Sequence, residues 1–322
     1  MFGSHLSIAG SMVNALHEAE KLGFDTVQVF TKNQQQWKAP PLDPAVVREW
    51  RTEVARLGWQ GRTVSHASYL INLASVKDDL FEKSVDLMSE EIERCEALGI
   101  PFLVHHPGSW VGWDLESGVG RIARAYGELF RRTPGYRTVS CLEGTVGAGS
   151  TLGGPFEELA KLRARIADVT GAPARIGFCL DTCHMHAFGY DFTTRAGAEQ
   201  NLRDFDSTCG MENLRVMHVN DSKGKVGSRL DRHAHIGAGT IGNAPKGERG
   251  RLAASGFAAV VNHPHLSTVP KILETPKEDT PAGTAWDTLN LRRLKALTDG
   301  GTGSAHAAQR PGVNGRTRGS PR

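Results

Sequence analysis

The chain has 322 residues, 39% hydrophobic and 23% charged, with a formal net charge of +3 at pH 7. Those values are ordinary for a globular protein, and the charge is too small to announce a polyanionic partner, so any nucleic-acid contact must come from a local patch. No stretch approaches the roughly 18 apolar residues of a spanning helix, and the N-terminus MFGSHLSIAG lacks the regions of a signal peptide. Five cysteines (Cys95, Cys141, Cys179, Cys183, Cys209) with no C-x-x-C pair read as reduced, buried thiols, not a disulfide framework. A cytoplasmic protein with no membrane partner is expected.

Strand and helix signals alternate along the chain. Residues 2–6 read as a strand, followed by an amphipathic helix over 11–22, and FDTVQVF (24–30) is a second strand. In DPAVVREWRTEVARLG, Asp43 is the expected N-cap, Pro44 sits at the first helical position and Gly58 is the stop. RTVSH (62–66) is the third strand, then comes a long helix over 77–99 ending at Gly99, the strand IPFLVHH (100–106) and a helix over 119–132. RTVSCLE (137–143), RIGFCLD (175–181), LRVMHV (214–219) and VPKILET (269–275) complete a set of eight strands. Strict alternation implies a parallel sheet with right-handed crossovers. Eight units closing on themselves give a single α/β (β/α)8 TIM barrel over residues 1–297, a fold that needs about 250 residues. An open doubly wound sheet is the alternative, but it does not bring all strand ends to one point. Residues 298–322 turn rich in Gly, Arg, Ser and Pro, and read as a disordered basic tail serving solubility more readily than phosphate attraction.

Six of the eight strands end in a residue able to bind a metal: His66, His106, Glu143, Asp181, His218 and Glu274. The carboxyl ends of barrel strands build the active site, so these six converge. LDTCH adds His184 three residues after Asp181, and DRHAH places Asp231, His233 and His235 at alternate positions that share a side if extended. Any one histidine alone is better read as a hydrogen-bonded core or loop residue. Nine of these positions together, the six strand ends with His184, Asp231 and His233, point to a multinuclear metal site with mixed His and carboxylate ligands, suited to zinc, manganese or iron. Cys179 and Cys183 flank Asp181, yet nearby His and carboxylate groups suffice as ligands. Paired metals about 3.5–4 Å apart can clamp a phosphodiester, and Glu143, in the middle of the set, is the natural bridge.

A second cluster concerns the substrate. FTKNQQQWKAP (30–40) places Lys32, Asn33, Gln34, Gln35, Gln36 and Trp37 on a loop at the catalytic face, and Tyr69 lies on another beside His66. Amides and lysine bind phosphate, sugar or base edges, and aromatics stack on or wedge between bases. The plain alternative is a polar loop with Trp37 packed on the barrel rim. Lys223, Lys225, Arg229 and Arg232 form a further basic loop able to track a backbone or simply to be solvated.

The motifs FTKNQQQW, SHASYLINLAS, HHPGSW, CLDTCHMHAFGYD, MHVNDSKGKVGSRLDRHAHIGAG and ILET resemble endonuclease IV, the zinc-dependent apurinic/apyrimidinic endonucleases, over residues 3–297. The resemblance implies a TIM barrel with three zinc ions, manganese or iron substituting in part. It implies hydrolysis of the phosphodiester 5′ to abasic sites by an activated hydroxide, leaving a 3′-hydroxyl and a 5′-deoxyribose phosphate, and removal of 3′-blocking groups. It assigns His66, His106 and Glu143 to one zinc, and Glu143, Asp181, His218 and Glu274 to a second. His184, Asp231 and His233 hold the third. Glu143 and Glu274 are the implied catalytic pair, Glu274 orienting the hydroxide. His5 matches a histidine of the opening strand. The implied partner is double-stranded DNA with abasic sites or 3′-blocked ends, bound by a monomer in the cytoplasm (at the nucleoid if bacterial). Lys32, Asn33, Gln35, Gln36, Trp37, Tyr69 and Arg229 are the implied DNA contacts, Gln36 and Tyr69 propping the gap left by a flipped abasic sugar. The chain departs from the pattern at Gly144, where Asn is usual, at Gln35, where Arg is usual, and at Ala238, where an acidic residue is common. These bear on affinity and rate, not on the ligands. Sugar isomerases and epimerases of the same barrel superfamily would need only Glu143, Asp181, His218 and Glu274, and a catalytically silent DNA-binding relative is the non-enzyme alternative.

Overall fold

The alternating pattern closes into a parallel eight-stranded barrel in the computed structural model, which describes residues 1–242 and 251–298. The barrel strands are β1 (Phe2–His5), β2 (Thr26–Val29), β3 (Val64–His66), β4 (Phe102–His105), β5 (Val139–Glu143), β6 (Ile176–Asp181), β7 (Leu214–His218) and β10 (Lys271–Leu273). They are ordered β1-β10-β7-β6-β5-β4-β3-β2, so every sequential strand is a spatial neighbour of the last. Around them run α1 (Met12–Leu22), α2 (Pro44–Arg56), α3 (Asp78–Leu98), α4 (Leu115–Arg132), α5 (Phe156–Thr170), α7 (Arg195–Cys209), α9 (Gly256–Asn262) and α10 (Trp286–Lys295). Among the described residues no helix is long and apolar enough to cross a membrane. The tail read from residue 298 onward lies, beyond Thr298, outside the described residues.

Local chemistry sets the helix ends where the sequence places them. The Ser11 hydroxyl accepts from Val13 N and the Asp43 carboxylate accepts from Ala45 N at 2.7 Å, each satisfying an amide that has no partner in the first turn. Gly99 stops α3 at φ 72°, a left-handed conformation that a side chain would resist.

Alternation along the strands builds the barrel interior. Val64, Val104, Cys141, Cys179, Val216 and Ile272 form one buried apolar layer inside the barrel. Two residues on, pointing the same way, come His66, His106, Glu143, Asp181, His218 and Glu274. The apolar layer is thus the floor of a polar mouth, and the same period that packs the floor aims these six side chains into it. A larger apolar shell between strands and helices, with Trp50, Phe178 and Phe205 fully buried, holds the barrel rigid. All five cysteines are free and buried. Burial pushes the Cys179 thiol up to about 12, so it stays protonated.

Two insertions depart from simple alternation. A short helix, α6 (Thr182–Phe188), starts directly at the end of β6, because the Asp181 carboxylate accepts from Cys183 N (2.6 Å) and His184 N (3.2 Å) and caps it. After β7 the chain makes an antiparallel hairpin of β8 (Asp221–Ser222) and β9 (His233–Ala234), and α8 (Arg251–Ala254) precedes α9. The Asp221 carboxylate accepts from Gly237 N and Ile241 N, both at 2.9 Å, and so ties down the loop after the hairpin.

At the opposite face, Lys271 is 2% exposed and its ammonium donates to the carbonyls of Leu266 and Val269. Burial pulls its pKa down to about 8. Because the folded value lies below the unfolded one, the charged form is penalised in full below pH 8, and the penalty is relieved as pH rises through the window up to 10.5. Stability should therefore rise across that window in the native chain. Lys271→Met should abolish the rise and be more stable near neutrality by on the order of 2 kcal/mol. Urea unfolding of both chains at the two ends of the window checks this; parallel pH profiles would refute it.

Candidate metal centre

Three donor sets share the mouth of the barrel. In the first, Nε2 of His66 and Nε2 of His106 each lie 3.2 Å from Oε2 of Glu143. In the second, Nδ1 of His218 lies 2.8 Å from Oε1 of Glu143 and 3.1 Å from Oε2 of Glu274, with Oδ2 of Asp181 at 3.9 Å. In the third, Oδ1 of Asp231 lies 3.2 Å from Nε2 of His184 and 3.6 Å from Nε2 of His233. The donor atoms of His66, His106 and Glu143, of Glu143, Asp181, His218 and Glu274, and of Asp181, His184 and His233 fall within 4.8 Å of one another in each group. Glu143 joins the first set to the second, and Asp181 the second to the third. All nine ligand positions read from the sequence are brought together.

The histidines are held as metal ligands need to be held. His66 Nδ1 donates to the carbonyl of Ala67 (2.7 Å), His184 Nδ1 to that of Gly144 (3.0 Å) and His233 Nδ1 to that of Glu274 (3.1 Å). Each backbone bond fixes one ring proton and turns the other nitrogen, with its lone pair, toward the carboxylates. The backbone immediately after β3, β5 and β10 supplies these carbonyls, so strand closure itself orients the rings.

The electrostatics ask for cations. Glu143 and Asp181 are at most 1% exposed, and buried carboxylates in mutual reach are costly without positive charge between them. Burial alone would raise the Glu143 carboxyl, yet His218 and His106 hold it well below the usual carboxylate range. Burial would likewise lower His184, but Asp181 and Asp231 push it up to about 10. Nε2 of His233 is buried without a hydrogen-bond partner, 3.5 Å from Asp181 Oδ2. An orphaned lone-pair donor facing a carboxylate, in a mixed nitrogen and oxygen set, fits a divalent transition ion.

Two orienting residues carry no signal of their own in the sequence. Asn220, fully buried, donates from Nδ2 to Asp181 Oδ2 (2.7 Å) and accepts at Oδ1 from Glu274 N (2.7 Å), pinning two members of one donor set. Its place two residues after His218 was the available clue. Gln28 of β2 bridges His218 and Glu274. His5 lies 3.3 Å from Glu274 Oε1. His235, expected to share a side with Asp231 and His233, does not join them: β9 covers only His233–Ala234, and the His235 ring stacks on Trp286 at 4.0 Å. A Cβ at Gly144 would meet Met185 Cε, the tip of a flexible side chain, at 2.5 Å, so a larger residue there requires Met185 to move, while the Gly144 carbonyl serves His184. Ala238 is exposed on the loop tied by Asp221.

The substrate-loop residues separate into two kinds. Asn33, Gln35 and Gln36 are exposed, and Tyr69, 59% exposed, stands over the first set with its ring 5.0 Å from His66 and 5.7 Å from His106. Lys32 is instead buried, its ammonium turned back onto the Gln36 carbonyl, where it braces the loop. Trp37 is half-buried against the core, the rim packing weighed above. The Arg229 guanidinium lies 4.0 Å over the Phe188 ring and donates to the Val146 carbonyl (3.1 Å), and Arg229 is exposed on that loop together with Lys223, Lys225 and Arg232. Ser68 Oγ donates to the Gln34 carbonyl (2.6 Å), linking the two substrate loops.

The chain is similar to known proteins over nearly its whole length. A sequence-family model described as a xylose isomerase-like TIM barrel matches residues 16–291. A probable endonuclease 4 of Chloroflexus aurantiacus is 40% identical over 299 residues, 93% of this chain and 98% of the relative. The crystal structure of endonuclease IV from Thermus thermophilus superposes with a TM-score of 0.76 at 35% identity, covering 92% of this chain and 98% of that one. A D-tagatose 3-epimerase-like protein, at 17% identity and a TM-score of 0.63 over 92% of this chain and 96% of its own, shares the fold.

Proposed function

The chain belongs to the endonuclease IV family of DNA-repair endonucleases, and on that premise we propose that it hydrolyses the phosphodiester 5′ to abasic sites in double-stranded DNA and clears 3′-blocking groups. It acts as a cytoplasmic or nucleoid-associated monomer, residues 1–297 forming the catalytic domain. The observation that carries the reading is the third donor set. A sugar epimerase needs only Glu143, Asp181, His218 and Glu274, whereas Asp231, in reach of both His184 and His233, adds a further donor set beside them.

Three zinc ions are the proposed complement, held by His66, His106 and Glu143, by Glu143, Asp181, His218 and Glu274, and by His184, Asp231 and His233. Bound metals supply Lewis-acid chemistry, making water acidic near neutrality and neutralising charge on the departing oxygen. Glu274, braced by Gln28 and His218, is placed to orient the attacking hydroxide. That hydroxide forms the new bond to phosphorus, the bond to the upstream 3′-oxygen breaks, and a proton passes to that oxygen to give the 3′-hydroxyl. Glu143 and Glu274 are the proposed catalytic pair. An abasic sugar has no base to unstack, so turning it out of the helix costs little, and the exposed ring of Tyr69 with the Gln36 amide would fill the gap. Asn33 and Gln35 would face phosphates, Arg229 and Lys32 holding their loops in shape, with Trp37 as the rim on which the first loop rests.

The test is incision of a duplex carrying one tetrahydrofuran abasic analogue, which cannot undergo β-elimination. The expected product is a nick 5′ to the analogue bearing a 3′-end that a polymerase extends. No nick from metal-loaded protein would overturn the proposal. Gln35, exposed at the loop tip, also sets an affinity limit: Gln35→Arg should tighten binding to an abasic duplex several-fold and steepen the salt dependence by about one counterion. Binding titrations at two salt concentrations decide it, and unchanged affinity and slope would count against a phosphate beside Gln35.

A further inference from the structure

Gln28 is fully buried in β2, with its side chain inside the barrel. A buried primary amide has to satisfy its oxygen and both N–H bonds. Gln28 does so entirely on residues at the mouth. Its Oε1 lies 2.9 Å from His218 Nε2, and its Nε2 lies 2.7 Å from Glu274 Oε1 and 3.0 Å from His5 Nδ1.

These contacts determine which atom does what. A carboxylate only accepts, so the group facing Glu274 is the NH2 of the amide, and the oxygen therefore faces His218. His218 Nε2 must then carry a proton. Its remaining nitrogen, Nδ1, is the one 2.8 Å from Glu143 Oε1 and 3.1 Å from Glu274 Oε2. The same amide engages Glu274 through Oε1 and leaves Oε2 turned to the shared centre. Among His66, His184, His218 and His233, the other three receive this service from backbone carbonyls, whereas His218 receives it from a side chain.

We propose that Gln28 is a positioning residue of the second metal centre, selecting Nδ1 of His218 as the ligand atom and fixing the free oxygen of Glu274. This rests on the metal-centre reading above. A merely space-filling role predicts that an apolar side chain of similar length serves equally well.

Gln28→Met and Gln28→Glu separate the two. Methionine keeps the volume and loses every hydrogen bond. Glutamate can still accept from His218 but sets a second carboxylate against Glu274. Three readouts are taken on the full chain: zinc release to a chromophoric chelator, the visible spectrum of the cobalt-loaded protein, and kcat and KM on the abasic-analogue duplex. Far-UV circular dichroism of each variant controls for folding. We expect Gln28→Met to hold one ion about 10–100-fold more weakly, with an altered cobalt spectrum and a fall in kcat at little-changed KM, and Gln28→Glu to be impaired at least as much. Native metal retention and an unchanged spectrum in a folded Gln28→Met protein would overturn the proposal, and should that variant not fold, the same result in Gln28→Glu would do so. Wild-type protein that retains no metal would instead remove the reading beneath it, so the two failures are distinct.

Discussion

Glu143→Gln should reduce single-turnover incision of an abasic-analogue duplex by on the order of 10³-fold or more and strip metal from two of the three donor sets. Oε2 of Glu143 faces His66 and His106, while Oε1 faces His218. One carboxylate thus serves two sets at once, using both oxygens. Glutamine has the same shape but one acceptor oxygen. Whichever way its amide turns, an NH2 group confronts the side where a ligand oxygen had been, and no rotation restores both. The position is 1% exposed, so water cannot enter to repair the loss. Removing a single group that stabilises developing charge commonly costs about 10²–10³ in rate, and here the clamp joining two sites goes with it. Metal content by mass spectrometry and incision rate should fall together. A variant within about tenfold of wild type, still carrying its full metal complement, would exclude Glu143 as the bridge.

Much of this centre was legible in the sequence alone because barrel strands repeat every two residues. His66 follows Val64, Glu143 follows Cys141 and Asp181 follows Cys179, so a polar residue closing an apolar strand marks the mouth. What stayed hidden depends on neighbours supplied by other strands. Gln28 and Asn220 are ordinary polar residues until the register sets β1 beside β2 and β7 beside β10, placing Glu274 within their reach. Lys32 looked like a phosphate ligand because loop lysines are usually solvated, but the nearby Gln36 carbonyl captured it. The turn into α6 was missed for a related reason: Asp181 reads as a ligand, yet two of its hydrogen bonds also cap a helix. His235 was grouped by a strand period that β9 is too short to sustain.

Removing the metals should lower the thermal midpoint, and by more as pH rises. In the stripped protein the His184 ring should hold a proton where a cation would sit. His184 has a folded pKa of about 10 against an ordinary 6.5. Its value is raised, so its pairing with Asp181 and Asp231 stabilises the stripped fold fully below pH 6.5 and is lost as pH climbs toward 10. Glu143 and Glu274 are displaced the other way. Their contribution is present above the ordinary 4.5 and is lost as pH falls through their lower folded values. The stripped protein is therefore most stable between these limits, in mildly acidic solution. Cations compete with the His184 proton, so they bind more tightly at alkaline pH and release protons on binding. One site held at about 1,000 times its Kd contributes roughly 4 kcal/mol, which for a chain of this size is about 6 °C in midpoint. Thermal unfolding of zinc-loaded and chelator-stripped protein at about pH 6 and about pH 8.5 should give a gap that widens at the higher pH, and a weakly buffered indicator dye should register proton release on zinc addition. A gap that is equal at both pH values, with no proton released, would mean that the cations do not take the place of the protons on these histidines, and the donor sets would then have to be read as a proton-bridged ion-pair network instead of a metal centre.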